Sequence, residues 1–294
     1  MLSRECGSTV LDPQQWLMML TPNMTGLSGA PLGWVTGLLR AWSHHSRMVT
    51  ALMMREISTR FGRDGLGFAW LIIEPLSFCV GVLILWSLTK PAYEHGVKLQ
   101  AFVMTGYMCL ILMRHQISYS VAAINSNIGL LHHRQIKPMH IFLSRNLLEI
   151  GGATAAFIVV YVALLGLRVV DPPKDYFLFY CGWLVLAWLG FGFAMFMAGL
   201  AMMFDVIERV ISLLTYILVP LSGAFFMVAW MPPKMREFYL LLPFPHPIEM
   251  LRAGVFGEFV ETHYDVAYPL AWGAIFLVIG LLFVTASRDK IDVE

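Results

Sequence analysis

The chain has 294 residues, of which 58% are hydrophobic and only 13% charged, and its formal net charge is +1. A soluble domain carries about 45–50% apolar and about 25% charged residues, so this composition excludes a large water-exposed enzyme and points to an integral membrane protein. The near-zero charge also excludes the clustered basic face that nucleic-acid binding requires.

The chain opens on a mixed stretch, 1–46, broken by Pro13, Pro22, Pro31 and several glycines. It reads as a loose cytoplasmic or interfacial lead-in. Only Arg4 supplies an early cation and no clean small-residue cleavage site follows, so a cleaved signal peptide is not expected. From Arg47 the pattern changes. Val49, Leu52, Met53, Ile57 and Phe61 recur at steps of three and four, while Arg47, Arg55, Glu56, Arg60 and Arg63 take the remaining surface. That spacing predicts an amphipathic helix lying flat at a membrane face.

A membrane-crossing helix needs about 20 apolar residues. Six such stretches follow, at 68–89, 99–120, 141–167, 176–204, 210–230 and 266–286, and define a six-span domain over 47–290. An even count puts both termini on one side, and the larger share of Lys and Arg falls there when that side is taken as cytoplasmic. The stretch 231–258 fits neither a span nor an ordinary loop. It is apolar at Phe238, Tyr239, Leu240, Leu241 and Leu242, yet it is cut by Pro232, Pro233, Pro243, Pro245 and Pro247. Pieces too short to cross and too apolar to be solvated read as re-entrant or interfacial half-helices.

Four cysteines, Cys6, Cys79, Cys109 and Cys181, form no CxxC pair, and three lie in apolar runs where cysteine acts as a small hydrophobe. Neither a disulfide nor a metal site is expected. The pairs His44–His45 and His132–His133 are adjacent, so their rings point apart on a helix and make poor ligand pairs. No GxxxxGK[ST] phosphate loop is present. If the protein pumps, its ATPase is another chain.

Other features leave two readings open. Asn125, Leu130, Leu131, His132, Arg134 and Lys137 lie between spans two and three. Their mix of apolar and basic types suits a short helix seated in a partner's groove, and equally a plain positive-inside loop. Glu74 in span one and Arg114 with His115 in span two are costly in hydrocarbon. They suit a buried pair, or a polar pathway on which Arg114 attracts anionic groups. Trp70, Trp86, Tyr107, Tyr216, Phe225, Phe226 and Trp230 offer flat faces for sugar rings, although a Trp near a span end also serves the interfacial belt. Gly190, Ala194 and Ala198 form a small-residue ridge suited to helix packing within one protomer.

Taken in order, several motifs carry a resemblance. They are REISTRFGRDGLGFAWLIIEP from Arg55 to Pro75, INSNIGLLHHRQIKP from Ile124 to Pro138, RNLLE from Arg145 to Glu149, WMPP from Trp230 to Pro233, and PFPHPIEMLR from Pro243 to Arg252. The chain resembles the membrane subunit of a polysaccharide ABC exporter of the type 2 exporter superfamily, capsular-polysaccharide permeases being the nearest likeness. O-antigen, teichoic acid and drug or lipid export permeases are relatives.

The resemblance implies an all-α, six-span subunit of a homodimer in the bacterial inner membrane, with two copies of a cytoplasmic ATPase. ATP and Mg would be bound by that partner, and this chain would hold no cofactor and no catalytic residue. It would move a lipid-linked glycan outward between the protomers, chiefly along spans one and five, where Arg114 and His115 would suit an acidic chain. The segment from Asn125 to Lys137 would be a coupling helix on the ATPase, with Asp205, Glu208 and Arg209 in a short turn as a second contact. Arg47, Arg55, Arg60 and Arg63 would sit on a gate helix at the lipid headgroups. Periplasmic and outer-membrane export proteins are further partners of such systems. A rival from another class, a stand-alone membrane enzyme on a lipid-linked substrate, would need clustered acids at the interface for a metal, and the aspartates here are scattered. A channel is disfavoured by the lack of a recognisable selectivity ring.

Overall fold

The computed structural model describes residues 33–61, 67–91, 93–94, 96–131 and 136–287. Its contacts divide the chain into two compact units, Met1–Ser46 and Arg47–Glu294. Of the first, the described part is the opening of helix α1, Gly33–Phe61. This corrects the expectation of a loose lead-in for 33–46, because after Pro31 no proline interrupts a run that Leu38, Leu39, Arg40 and Ala41 favour as helix. From Arg47 the apolar stripe behaves as its spacing predicts: Val49 and Leu52 are buried, while Arg47, Met54 and Arg55 are exposed.

The second unit continues with α2, Gly67–Thr89, and a short antiparallel ribbon of β1, Tyr93–Glu94, and β2, Val97–Lys98. Then come α3, Leu99–Val121, a single 3-10 turn at Asn125–Asn127, and α4, Ile128–Leu131. After these run α5, Pro138–Gly166, α6, Tyr176–Met203, and α7, Asp205–Ser222. The chain closes with α8, Pro233–Tyr239, α9, Pro245–Phe256, and α10, Ala267–Ala286. Among the described residues, four stretches are long and apolar enough to cross a membrane: Ala69–Thr89 of α2, Pro138–Gly166, Tyr176–Met203 and Ala267–Ala286. The protein is thus a nearly all-helical integral membrane protein.

Helix α3 is the hub. It packs on α2, α5, α6, α7 and α9, and Phe102, Met108, Leu112 and Met113 are fully buried in it. It also carries buried polar side chains, and their hydroxyl and amide N–H groups find partners, as a site without water demands, while the Gln116 side-chain oxygen has none among the described residues. The Thr105 hydroxyl donates to the Ala101 carbonyl at 2.8 Å, and Gln116 Nε2 donates to the Ala187 carbonyl at 3.1 Å. Ser120 Oγ accepts Asn146 Nδ2 at 2.7 Å. Gly190, the first member of the predicted ridge, faces Gln116, so the ridge packs inside the protomer. Helices α6 and α10 approach so closely that a Cβ on Gly192 would fall 2.2 Å from the Gly273 carbonyl oxygen.

The fifth predicted span needs correction. Its helix begins at Asp205 and ends at Ser222, where Gly223 turns left-handed with φ +78°; residues 223–230 form a turn and a 3-10 helix, Val228–Trp230, instead of more helix. Gly223 accepts that conformation without steric cost. Asp205, Glu208 and Arg209, read as a short turn, lie at the start of α7, where the two acids in its first turn favour the positive end of the helix dipole.

Candidate functional site

Three motifs that lie far apart in sequence meet at one junction. The Arg145 guanidinium of α5 pairs with the Glu56 carboxylate of α1 at 2.8 Å and donates to the Ser126 hydroxyl at 2.7 Å. Next to it, Arg55 of α1 donates to the Asn127 side-chain carbonyl at 2.8 Å, and Asn127 Nδ2 donates to the Ala123 carbonyl at 2.9 Å. The REI, INSN and RNLLE motifs therefore build one polar clasp. It ties the amphipathic helix to the foot of the segment that carries α4. Glu56 and Arg145 are mostly shielded, with side chains 13% and 6% exposed. Such a pair holds geometry firmly because either charge left alone would be costly.

The clasp continues into the bundle. Tyr119 lies under Arg145, its ring centroid 6.0 Å away, and its hydroxyl reaches Glu74 of α2 at 3.5 Å. His115 pairs with Glu149 of α5 at 3.4 Å and sits edge-on to Tyr119. Of the buried pairings open to Glu74, Arg114 and His115, the fold thus chooses Glu149 for His115. Arg114 lies instead over the Tyr216 ring of α7, 4.9 Å from its centroid.

Among the aromatic candidates, Trp86 of α2 and Tyr107 of α3 both meet Phe225, at centroid distances of 5.5 and 6.3 Å. Phe226 packs on Tyr239 and Trp230 on Phe102, away from that group. Trp70 is exposed near the other end of α2, and Tyr216 is exposed on α7. In the segment between spans two and three, Leu130 is half-buried and Lys137 is exposed at the start of α5, where the His140 ring accepts the Lys137 backbone N–H at 3.2 Å. Arg63, His132 and Arg134 lie outside the described residues, as do the side chains of Arg60, Asn125 and Leu131. Arg47, Asp205, Glu208 and Arg209 are all exposed.

A second polar cluster, to which the sequence reading assigned no role, organises the opposite end of α3. Arg252 of α9 is fully buried. It donates to the carbonyls of Gly223 and Phe226, each at 2.8 Å, and of Ala224 at 2.6 Å, and it lies 4.3 Å over the Phe102 ring. It therefore caps the open carbonyls where α7 ends, aided by the Tyr239 hydroxyl, which donates to the Pro220 carbonyl at 2.9 Å. Glu249, 3.9 Å from Arg252, accepts the backbone N–H groups of Val228 and His263. Burial pushes its carboxyl above the ordinary range, opposed by Arg252 and those two N–H groups. The one signal of this cluster in the sequence was a charged pair within an apolar, proline-cut stretch.

These features define a polytopic membrane protein whose buried polar groups join helices to one another. The chain belongs to the ABC-2 type transporter family, which it matches over residues 47–256. It is 36% identical over 246 residues to the capsule polysaccharide export inner-membrane protein CtrC of Neisseria meningitidis serogroup B, covering 84% of this chain and 93% of that protein. It is 33% identical over 238 residues to the capsule polysaccharide export inner-membrane protein BexB of Haemophilus influenzae, covering 81% and 90%. The polysialic acid transport protein KpsM of Escherichia coli is 26% identical over 247 residues, covering 82% and 93%.

Proposed function

We propose that the chain is the permease subunit of an ATP-driven exporter that moves a lipid-linked capsular polysaccharide across the bacterial inner membrane. The observation that carries this reading is the 36% identity to CtrC along 93% of that protein's length. The clasp around Arg145 supplies a working part. In this reading α4 and its flanks seat on a separate cytoplasmic ATPase, which binds ATP and Mg, and Asp205, Glu208 and Arg209 make a second contact. This chain needs no covalent chemistry, because closure of the ATPase pair is a rigid-body motion that a docked helix passes on. The clasp then moves α1 and α5 with it.

The remaining parts follow the same reading. Helices α3 and α7 complete six spans within 47–290, both termini are cytoplasmic, and residues 1–46 form a separate lead-in. Arg47, Arg55, Arg60 and Arg63 place the gate helix at the headgroups, where each cation gains about 1 kcal/mol near an anionic surface. Helices α8 and α9 are the half-helices that close the outer side. Two copies of the chain enclose the glycan between their α2 and α7 helices, along Trp70, Glu74, Trp86, Tyr107, Tyr216, Phe225, Phe226 and Trp230. Periplasmic and outer-membrane export proteins continue the route.

The test is a mild-detergent pull-down of the tagged chain from its native membrane, with copy numbers determined by mass spectrometry. A phosphate-loop ATPase at equal copy number is expected. A chain that emerges alone, and stays alone on crosslinking, overturns the exporter reading.

A further inference from the structure

The loop 167–175 joins two helices long and apolar enough to cross a membrane, Pro138–Gly166 and Tyr176–Met203, so it lies where hydrocarbon gives way to water. Tyr176, Phe177 and Tyr180 stand exposed at the start of α6, as in the aromatic belt at headgroup level. Beside them the described residues line a cavity of about 920 Å³, within the size range of small-molecule sites. Its walls come from the β1–β2 ribbon, the first turn of α3, this loop, and the end of α9 with the segment that follows it.

Contacts within the protein hold these walls in place. The Lys98 ammonium meets both carboxylate oxygens of Asp171, each at 2.9 Å, and ties the ribbon to the loop. The Asp175 backbone N–H donates to the Gly254 carbonyl at 2.9 Å and ties the loop to α9, while the Asp175 carboxylate caps α6 by accepting the Leu178 N–H at 3.0 Å. The Phe259 ring, 73% exposed, leans on the ribbon, since a Cβ on Gly96 would fall 3.3 Å from it. Val97, Val170 and Val255 are buried and give the cavity an apolar floor.

Two charges are left over. Lys174 and Glu258 line the cavity, both are exposed, and among the described residues neither forms an ion pair. Their segments nevertheless touch, because a Cβ on Gly257 would fall 3.1 Å from the Lys174 Cβ. A cation and an anion that share a cavity without pairing match a ligand that carries both signs, and the floor matches one with an apolar body. A lysine ammonium holds phosphate as a point charge, and a carboxylate accepts the N–H groups of a primary ammonium.

We propose that this cavity holds the headgroup of a zwitterionic membrane phospholipid with a primary ammonium, its phosphate on Lys174, its ammonium on Glu258 and its glycerol body over the valines. The site goes beyond the export reading and does not depend on what the chain exports. An anionic lipid would leave Glu258 unanswered, and a choline lipid would offer it no N–H donor.

The test is native mass spectrometry of the full chain, delipidated in mild detergent and offered equal amounts of phosphatidylethanolamine, phosphatidylcholine and phosphatidylglycerol with identical acyl chains. Wild type is expected to retain phosphatidylethanolamine about tenfold over either competitor, the discrimination of one charge-assisted hydrogen bond. Glu258→Gln is expected to bring phosphatidylethanolamine down to the level of phosphatidylcholine, and Lys174→Gln to lower both alike. Both residues are exposed, so neither change should move the melting temperature. Undiminished preference in Glu258→Gln overturns the proposal, as do equal retention of the three lipids by wild type and tighter retention of phosphatidylglycerol. Should Glu258→Gln fail to fold, Lys174→Gln decides, since unchanged retention of phosphatidylethanolamine there also overturns it. Soluble glycerophosphoethanolamine that displaces the lipid at equal concentration would refute a membrane lipid as the occupant.

Discussion

Removing one partner of the Glu56–Arg145 pair tests the clasp most directly. The two side chains meet at 2.8 Å and are 13% and 6% exposed. Truncating one member of a buried pair costs about 3–5 kcal/mol, because the other charge is left without compensation. The residual exposure of Glu56 places the cost near the lower bound, so Arg145→Gln and Glu56→Gln are each expected to destabilise by about 3 kcal/mol. Arg145→Gln also frees Ser126 from its 2.7 Å contact. The double variant leaves no orphaned charge, so its cost should fall below the sum of the single costs by about 2 kcal/mol. Denaturation midpoints in mild detergent, followed by the fluorescence of the nine tryptophans, measure all three. Co-purification of the ATPase gives the functional readout and should fall in each single variant. Additivity within about 0.5 kcal/mol would show that the charges do not act on each other, and the clasp would be refuted as a mechanical link.

Further expectations concern other parts of the fold. A Cβ on Gly106 would fall 1.9 Å from the Ala224 carbonyl oxygen, whereas one on Gly81 meets nothing within 4 Å. Gly106→Ala should therefore sharply reduce the yield of monodisperse protein and Gly81→Ala should not, and equal yields would contradict the packing of α3 under the end of α7. Arg252→Lys puts one flexible ammonium where a planar fork reaches three carbonyls. It is expected to cost about 3 kcal/mol and to speed tryptic cleavage at Lys234, and an unchanged cleavage rate would argue against the cap. Charges introduced as Leu130→Glu with Leu131→Glu should abolish export while leaving the protein inserted, as judged by surface glycan against membrane content. Full export would remove α4 from the coupling path.

Much of the outline was legible in the sequence because it follows from local chemistry. The apolar runs of α2, α5, α6 and α10 each reach the length a bilayer demands, so their existence needed no tertiary information. The stripe through Val49 and Leu52 likewise foretold the buried face of α1. Where prediction and structure part, the reason is again local but finer. The opening turns of α1 lie beyond the last proline of the lead-in. The end of α7 is set by one left-handed glycine and by Arg252, a residue 29 positions further on.

Composition and periodicity alone determined that this chain is a multi-span helical membrane protein without a nucleotide loop of its own, because hydrocarbon permits few ways to satisfy a backbone. Partner choice among its charged groups was decided only by the tertiary structure. No spacing rule pairs Glu56 with Arg145, or His115 with Glu149, across separate helices. Those pairings depend on which helix faces which and at what height, since ion pairs and hydrogen bonds form over a few ångströms. Sequence distance carries no information on that scale.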